Sequence, residues 1–224
     1  MKEEGSRTIS EVLERQRHHW EKMFSDDPEM FGDAPSDSAR KAADVFGKEK
    51  TTKILELGSG QGRDAIFLAK NGFHVSALDY SQNGVEAISS RAEALGISDK
   101  VTAKCYDVRK PLPFADESFD GCYSHMLFCM ALTIVELELL SSEIRRVLRP
   151  GGLNIFTVRH TEDAHYGKGI YRGEDMYEVD GFIVHFFSKE LVSRLAKGYE
   201  IISVDKFEEG ELPRKLFRVV LRKN

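Results

Sequence analysis

The sequence predicts an α/β fold, a seven-stranded and mostly parallel sheet with helices on both faces and an antiparallel hairpin at its C-terminal end. Three observations predict it. Over residues 53–158, short apolar segments of strand length alternate with stretches whose apolar residues recur three and four apart, the pattern of βαβ units. The first strand runs straight into Gly58-Ser59-Gly60-Gln61-Gly62 and then into a helix. Near the C-terminus two strand segments lie about 11 residues apart, too few for a parallel crossover, so they pair as a hairpin.

Residues 1–50 are polar and read as helices. Val12 and Leu13 mark an early amphipathic turn, Ala39, Ala42, Ala43 and Phe46 mark a second, and a Trp-, Phe- and Pro-containing stretch over 20–35 lies between them. Residues 54–57 form the first strand, and Ala65, Leu68 and Ala69 give the following segment its helical spacing. A strand over 73–78 precedes a helix that Ser81 caps, with Val85, Ile88, Ala92 and Leu95 on one face and Gly96 at its end. Strands follow at 101–105 and 119–123. A long helix begins at Ile134, with Leu137, Leu140, Ile144, Val147 and Leu148 in register, and stops at Pro150-Gly151-Gly152. Residues 153–158 are the next strand. Residues 160–181 have no periodicity and read as a long loop, a kind of segment that is often a lid over a site. Ser188 starts a helix through Lys197, and strands at 201–204 and 216–221 make the hairpin. The expected organisation is a single domain: a helical lid over 1–50, a core over 53–158, an insertion over 160–187 and a C-terminal helix and hairpin over 188–224.

Composition narrows the function classes. With 224 residues, 41% hydrophobic and 31% charged, the chain can bury a substantial core and is neither low-complexity nor disordered. No apolar run approaches a membrane span, and the N-terminal stretch is charged where a signal peptide is apolar, so a cytoplasmic location is expected. The net charge of −5 offers no global attraction to a phosphate backbone, which disfavours nucleic acid as a partner. Cys105, Cys122 and Cys129 are odd in number, lack metal-ligand spacing and sit among apolar neighbours, so they read as free thiols; no metal site is expected.

The glycine turn is where chemistry begins. Alternating glycines let the backbone turn sharply and let a ligand approach main-chain N–H groups near the positive end of the next helix. A dinucleotide fingerprint would place its last glycine at position 63, where this chain has Arg63, with Gly62 one place earlier. The passage ILELGSGQGRD instead resembles the first motif of the class I S-adenosylmethionine-dependent methyltransferases. Asp79 after the second strand, Asp107 and Val108 after the third, the run from Leu112 to Asp120, and Leu148-Arg149-Pro150-Gly151-Gly152 continue the resemblance in order over about 53–158.

That resemblance implies a Rossmann-like methyltransferase fold and S-adenosyl-L-methionine as cofactor, converted to S-adenosyl-L-homocysteine. It implies cofactor contacts from Glu56, Gly58, Ser59, Gly60, Gly62, Arg63, Asp79, Tyr80, Asp107, Val108 and Ser124. Asp79 would accept the ribose hydroxyls, Asp107 the adenine amine, and the Val108 backbone would meet a ring nitrogen. Arg63 either reaches the cofactor carboxylate or is a solvated first-turn residue. Glu56 orders the glycine loop or meets the amino group through water.

Methyl transfer from a sulfonium needs alignment and exclusion of water, and a base only where the acceptor must lose a proton. The expected acceptor wall is the end of the fourth strand, with His125 and Tyr123 as catalytic candidates; His125 is a base, an orienting group or a satisfied structural histidine. Trp20, Arg159, His160, Tyr166, Tyr171 and His185 are expected to bind substrate or to pack the loops. The expected activity is methylation of a small molecule by a monomer or homodimer. The alternatives are an RNA or protein methyltransferase, which would use a basic face around Arg145, Arg146 and Arg149; a nicotinamide-dependent oxidoreductase; a non-catalytic cofactor-binding protein; and a thiophilic acceptor handled by the cysteines.

Overall fold

Glycine and serine set the boundaries of the elements. The computed structural model describes residues 9–210 and 214–224, without the side chains of residues 9, 10 and 13; the expectations for residues 1–8 and for the side chain of Leu13 lie outside the described residues. In chain order the elements are α1 (Ile9–Asp26), α2 (Asp37–Lys48), β1 (Lys53–Leu57), α3 (Arg63–Lys70), β2 (His74–Asp79), α4 (Gln82–Ala94), β3 (Val101–Cys105), β4 (Phe119–His125), α5 (Ile134–Val147), β5 (Leu148–Arg159), β6 (Ile170–Gly173), β7 (Met176–Val179), β8 (Phe182–His185), α6 (Lys189–Leu195), β9 (Tyr199–Glu209) and β10 (Arg214–Lys223). Ser36, Ser81 and Ser188 cap α2, α4 and α6 by accepting a hydrogen bond from a first-turn N–H, and Thr133 with Glu136 forms a reciprocal box at the start of α5.

The main sheet has the order β3-β2-β1-β4-β5-β10-β9, parallel from β3 to β5 and antiparallel across β5, β10 and β9. The chain winds outward from β1 in one direction to β3 and then returns to place β4 on the other side of β1. The carboxyl ends of β1 and β4 therefore form the switch point of the sheet, where a crevice opens between diverging connections. One face is covered by α5 and α6 through Leu137, Leu140, Ile144, Val147, Val192 and Leu195. The other is covered by α2, α3 and α4 through Ala39, Ala42, Phe46, Ala65, Leu68, Ile88 and Ala92. Among the described residues no helix is long and apolar enough to cross a membrane.

Four expectations are corrected. Residues 160–181 are not one aperiodic loop: residues 170–173 and 176–179, with 182–185, form a second sheet, ordered β6-β7-β8 and antiparallel throughout. Its strands are four residues long and joined by tight turns with left-handed residues at Glu174, Asp175 and Asp180, too short to display a period. Second, β9 and β10 extend well beyond 201–204 and 216–221, because their outer halves are polar and carry no apolar signal. Third, β5 begins at Leu148, which pairs with Phe119 ahead of the glycines. Fourth, Leu95 is exposed as the C-cap of α4.

The helix α1 lies against the small sheet. Val12 packs with Met176 and Ile183, while Gln16 donates from Nε2 to Gly181 O at 2.9 Å and accepts from Ile183 N at 3.1 Å, continuing the edge of β8 with a side chain. Arg109, beyond β3, donates to Glu14 on the same helix at 2.9 Å.

Candidate functional site

The glycine loop takes the shape its composition allows. Gly58, Gly60 and Gly62 all have positive φ, at 68°, 53° and 84°. At Gly62 a side chain is doubly excluded, since a Cβ would lie 2.4 Å from Cγ1 of the buried Ile88. Gly58 N and Ser59 N both donate to Leu78 O, at 2.8 and 3.2 Å, which ties the loop to the end of β2. Asp79 completes the tie, accepting from Gly60 N at 2.8 Å through Oδ2 and from Ser81 N at 2.9 Å through Oδ1. This one carboxylate fixes the loop to the start of α4. Burial pushes it up to about 6, against the opposing pull of the N–H groups of Ser81 and Gly60.

These residues line a cavity of about 610 Å³ at the switch point, a size suited to a small-molecule or cofactor site. Glu56, Gly58, Ser59, Gly60, Gly62, Arg63, Asp79, Tyr80, Asp107 and Val108 all line it. Glu56 is buried, and its Oε2 has no hydrogen-bond partner among the described residues; burial first, then the nearby Asp64 and Asp79, raise it well above the usual carboxylate range. An unpaired buried acceptor facing a cavity fits a ligand that carries donors. Asp107 is half-buried, and although burial raises it, the side-chain and backbone hydrogen bonds of Arg109 outweigh that and lower it. Both candidate acids thus face one hollow. Arg63 lies over the ring of Phe31 at 5.5 Å.

The far wall is aromatic and aliphatic. Trp20, Phe24, Phe31 and Phe182 lean on one another with centroids 5.0 to 6.4 Å apart, and with Met30, Met126, Met130, Leu132 and Val184 they line the same cavity. At the end of β4 the backbone turns into the left-handed region at Met126, with φ 61°, held by its N–H donating to Thr157 O and to Thr157 Oγ1. That turn leaves His125 at the cavity. Its Nδ1 is 2.8 Å from Thr157 Oγ1 and its Nε2 is 3.1 Å from Glu209 Oε2.

Six expected residues lie elsewhere. Tyr123 is fully buried on the α2 side of the sheet, with its hydroxyl held by Asp64 at 3.0 Å and Ser36 at 3.1 Å, so it belongs to the core. Ser124 is buried on the opposite side of β4 and does not line the cavity. His160 is stacked on Phe217, and His185 points its Nδ1 at Leu132 O. Tyr166 and Tyr171 pack with Tyr177 on the small sheet, away from the cavity, and it is His165 that reaches the lining. Trp20 and Arg159 do line it, the latter paired with the buried Asp163. Sequence reasoning missed Gln16, Arg109, Glu209 and Arg214, which carry no motif and enter from distant elements. The three cysteines are free, with Cys105 half-buried and not fully enclosed. Arg146 is engaged by Glu143 and Asp116, and Arg149 by Asp120. Among the described residues no group of three or more His, Cys, Asp or Glu is arranged to hold a metal ion.

A doubly wound sheet with a glycine turn at its switch point, a buried acid at the end of β2 and a half-buried acid after β3 has the layout of a nucleotide-cofactor-binding α/β protein. Residues 54–152 match the family described as "Methyltransferase domain". The chain is 39% identical over 102 residues to sterol 24-C-methyltransferase ERG6B of Gibberella zeae, covering 45% of this chain and 26% of that protein. It is 34% identical over 118 residues to malonyl-[acyl-carrier protein] O-methyltransferase of Erwinia billingiae, covering 50% and 41%. It thus spans less than half the length of these relatives. In fold it is similar to 1,6-didemethyltoxoflavin-N1-methyltransferase of Burkholderia thailandensis, with a TM-score of 0.76, 16% identity, and coverage of 98% of this chain and 92% of that one. Over residues 54–152 the chain thus carries a methyltransferase domain, and its sequence relatives and fold neighbours are methyltransferases, among them S-adenosylmethionine-dependent ones, which supports S-adenosyl-L-methionine as the cofactor.

Proposed function

We propose that this chain transfers a methyl group from S-adenosyl-L-methionine to a small-molecule acceptor. The observation that carries the reading is one continuous cavity, running from the glycine loop and the two acids to an apolar wall built by α1, β8 and the end of β4. When bound, the cofactor supplies an activated methyl on a sulfonium, so the chain's own task is to bind, align and exclude water. Asp79 holds the ribose hydroxyls, Asp107 and the Val108 backbone hold the adenine, and Glu56 and Arg63 serve the amino-acid end. Trp20, Phe31 and Phe182 close the acceptor side. The acceptor enters a roofed space whose volume suits a small molecule better than a polymer segment. Two of the three arginines of the basic face, Arg146 and Arg149, are paired with carboxylates, which lessens the support it would lend to an RNA acceptor.

Titration of the full chain with S-adenosyl-L-homocysteine tests this reading, and saturable binding is the expected result. No binding of either S-adenosyl-L-homocysteine or S-adenosyl-L-methionine refutes it. Incubation of the chain with labelled methyl donor and a metabolite extract, followed by mass spectrometry, then identifies the acceptor.

A further inference from the structure

The acceptor side of the cavity contains a carboxylate that no motif announces. Building on the methyltransferase reading above, we propose that Glu209 receives the proton of an aromatic or enolic hydroxyl that is the methyl acceptor, with His125 and Thr157 as positioning residues that hold Glu209 in place.

The argument begins with hydrogen bonds. Thr157 Oγ1 accepts the Met126 N–H at 3.0 Å and lies 2.8 Å from His125 Nδ1. An ionised carboxylate only accepts, so with Glu209 Oε2 3.1 Å from Nε2 the proton of the neutral imidazole is placed on Nε2, and Nδ1 then accepts from the Thr157 hydroxyl. Both ring nitrogens are engaged, which leaves the imidazole no lone pair to aim at a substrate. Glu209 is different. It is the last residue of β9, it lines the cavity, and among the described residues its Oε1 has no hydrogen-bond partner. The chain Thr157–His125–Glu209 therefore ends in a carboxylate that lines the cavity and keeps one oxygen free of His125.

Charge selects the kind of acceptor. The charged groups bearing on Glu209 are His125, Arg63 and Arg214; burial raises its pKa, and the hydrogen bond from His125 together with the two arginines more than reverses that. Glu209 is an anion at neutral pH, flanked by two guanidinium groups. An ammonium acceptor would meet that positive field unfavourably. A neutral acceptor that gains negative charge as its proton leaves is favoured by it. A carboxylate held low takes a proton readily only from a moderately acidic O–H, which points to a phenol or enol and away from an aliphatic alcohol. The frame of the acceptor follows from the walls, since Trp20, Phe31, Phe182, Met130 and Leu132 offer flat and apolar contacts. In the step proposed, the O–H bond breaks and its electron pair stays on the acceptor oxygen. The proton passes to Glu209 Oε1, and the oxygen pair forms the bond to methyl as the methyl–sulfur bond breaks with its pair left on sulfur.

The test uses the full chain saturated with S-adenosyl-L-homocysteine, with 2-naphthol and 2-methoxynaphthalene as probes. The wild type is expected to bind the naphthol at least about tenfold more tightly than the ether, as one charge-assisted hydrogen bond implies. Glu209→Gln and Glu209→Ser are expected to reduce that preference to less than about threefold, with homocysteine-product affinity unchanged. His125→Gln, which keeps an N–H donor toward Glu209, is expected to restore most of the preference that His125→Ala loses; equal behaviour of the two overturns the positioning role. Equal binding of the two probes by the wild type, binding of neither, or a preference that survives both Glu209 variants overturns the proposal. Because product binding is read in the same samples, failure of the wild type to bind S-adenosyl-L-homocysteine sinks the methyltransferase reading itself. Product binding without naphthol discrimination sinks this inference alone.

Discussion

Asp79 is only 5% exposed, yet in the role proposed for it, holding two ribose hydroxyls, it must be an anion, and that conflict predicts a cofactor affinity that depends on pH. Burial moves its pKa from the ordinary 3.8 to about 6. At 1.36 kcal/mol per unit this is about 3 kcal/mol of cost for holding the charge in the folded chain. The sign follows from the direction of the shift. Below about 4 the protonated group costs nothing, and stability is lost as pH rises through about 6. Donors from a bound ribose relieve that cost, so binding favours the anion and releases a proton wherever Asp79 is protonated in the free protein. At pH 5 about nine-tenths of Asp79 is protonated, so S-adenosyl-L-homocysteine should bind about tenfold more weakly there than at pH 7, with about one proton released. Calorimetric titration at the two pH values, in two buffers of different ionisation enthalpy, measures both quantities. Asp79→Asn should bind about 1.5–3 kcal/mol more weakly at pH 7 and lose the pH dependence. Glu56, also raised by burial, is controlled for by Glu56→Gln, which should retain it. Equal wild-type affinity at pH 5 and 7, or the same slope in Asp79→Asn, refutes the reasoning.

Two further predictions concern residues that surround the cavity. Gly62→Ala forces a left-handed alanine whose Cβ meets Ile88 at 2.4 Å, so chemical denaturation should show a loss of about 2–5 kcal/mol, whereas Gly72→Ala, at φ 96° with open space around it, should show only the backbone part, about 1–2 kcal/mol; similar losses for the two would deny the packing contribution. Tyr123→Phe removes a buried hydroxyl shared by Asp64 and Ser36 and should cost about 1–2 kcal/mol of stability with product affinity unmoved; a loss of affinity instead would return Tyr123 to the site.

Much of the site was legible because its signals are local. The glycines with positive φ, the acid at the end of β2 and the acid after β3 each declare themselves within a few residues of a strand end, and ten of the eleven cofactor residues expected from sequence do line the cavity. The exception, Ser124, lies in the stretch of β4 from Gly121 to Ser124 that is buried on both faces, and there sequence cannot say which residue faces which layer. On the acceptor side the signals are weaker still. Aromatic residues on a four-residue strand look the same whether they pack on one another, as Tyr171 and Tyr177 do, or line a cavity, as Phe182 does.

Spacing and turn chemistry along the chain were enough to settle the doubly wound sheet, its C-terminal hairpin and the glycine turn, because helix period, strand alternation and left-handed glycine are decided by near neighbours. Folding alone decided that Tyr123 is core and His125 is wall, two residues apart on one strand, through the left-handed turn at Met126 and the hydroxyl of Thr157. It also decided that Glu209, delivered by the edge strand of the sheet, stands against His125. Contacts between remote segments depend on strand order and strand length, and a polar strand end leaves no periodic trace from which either can be read.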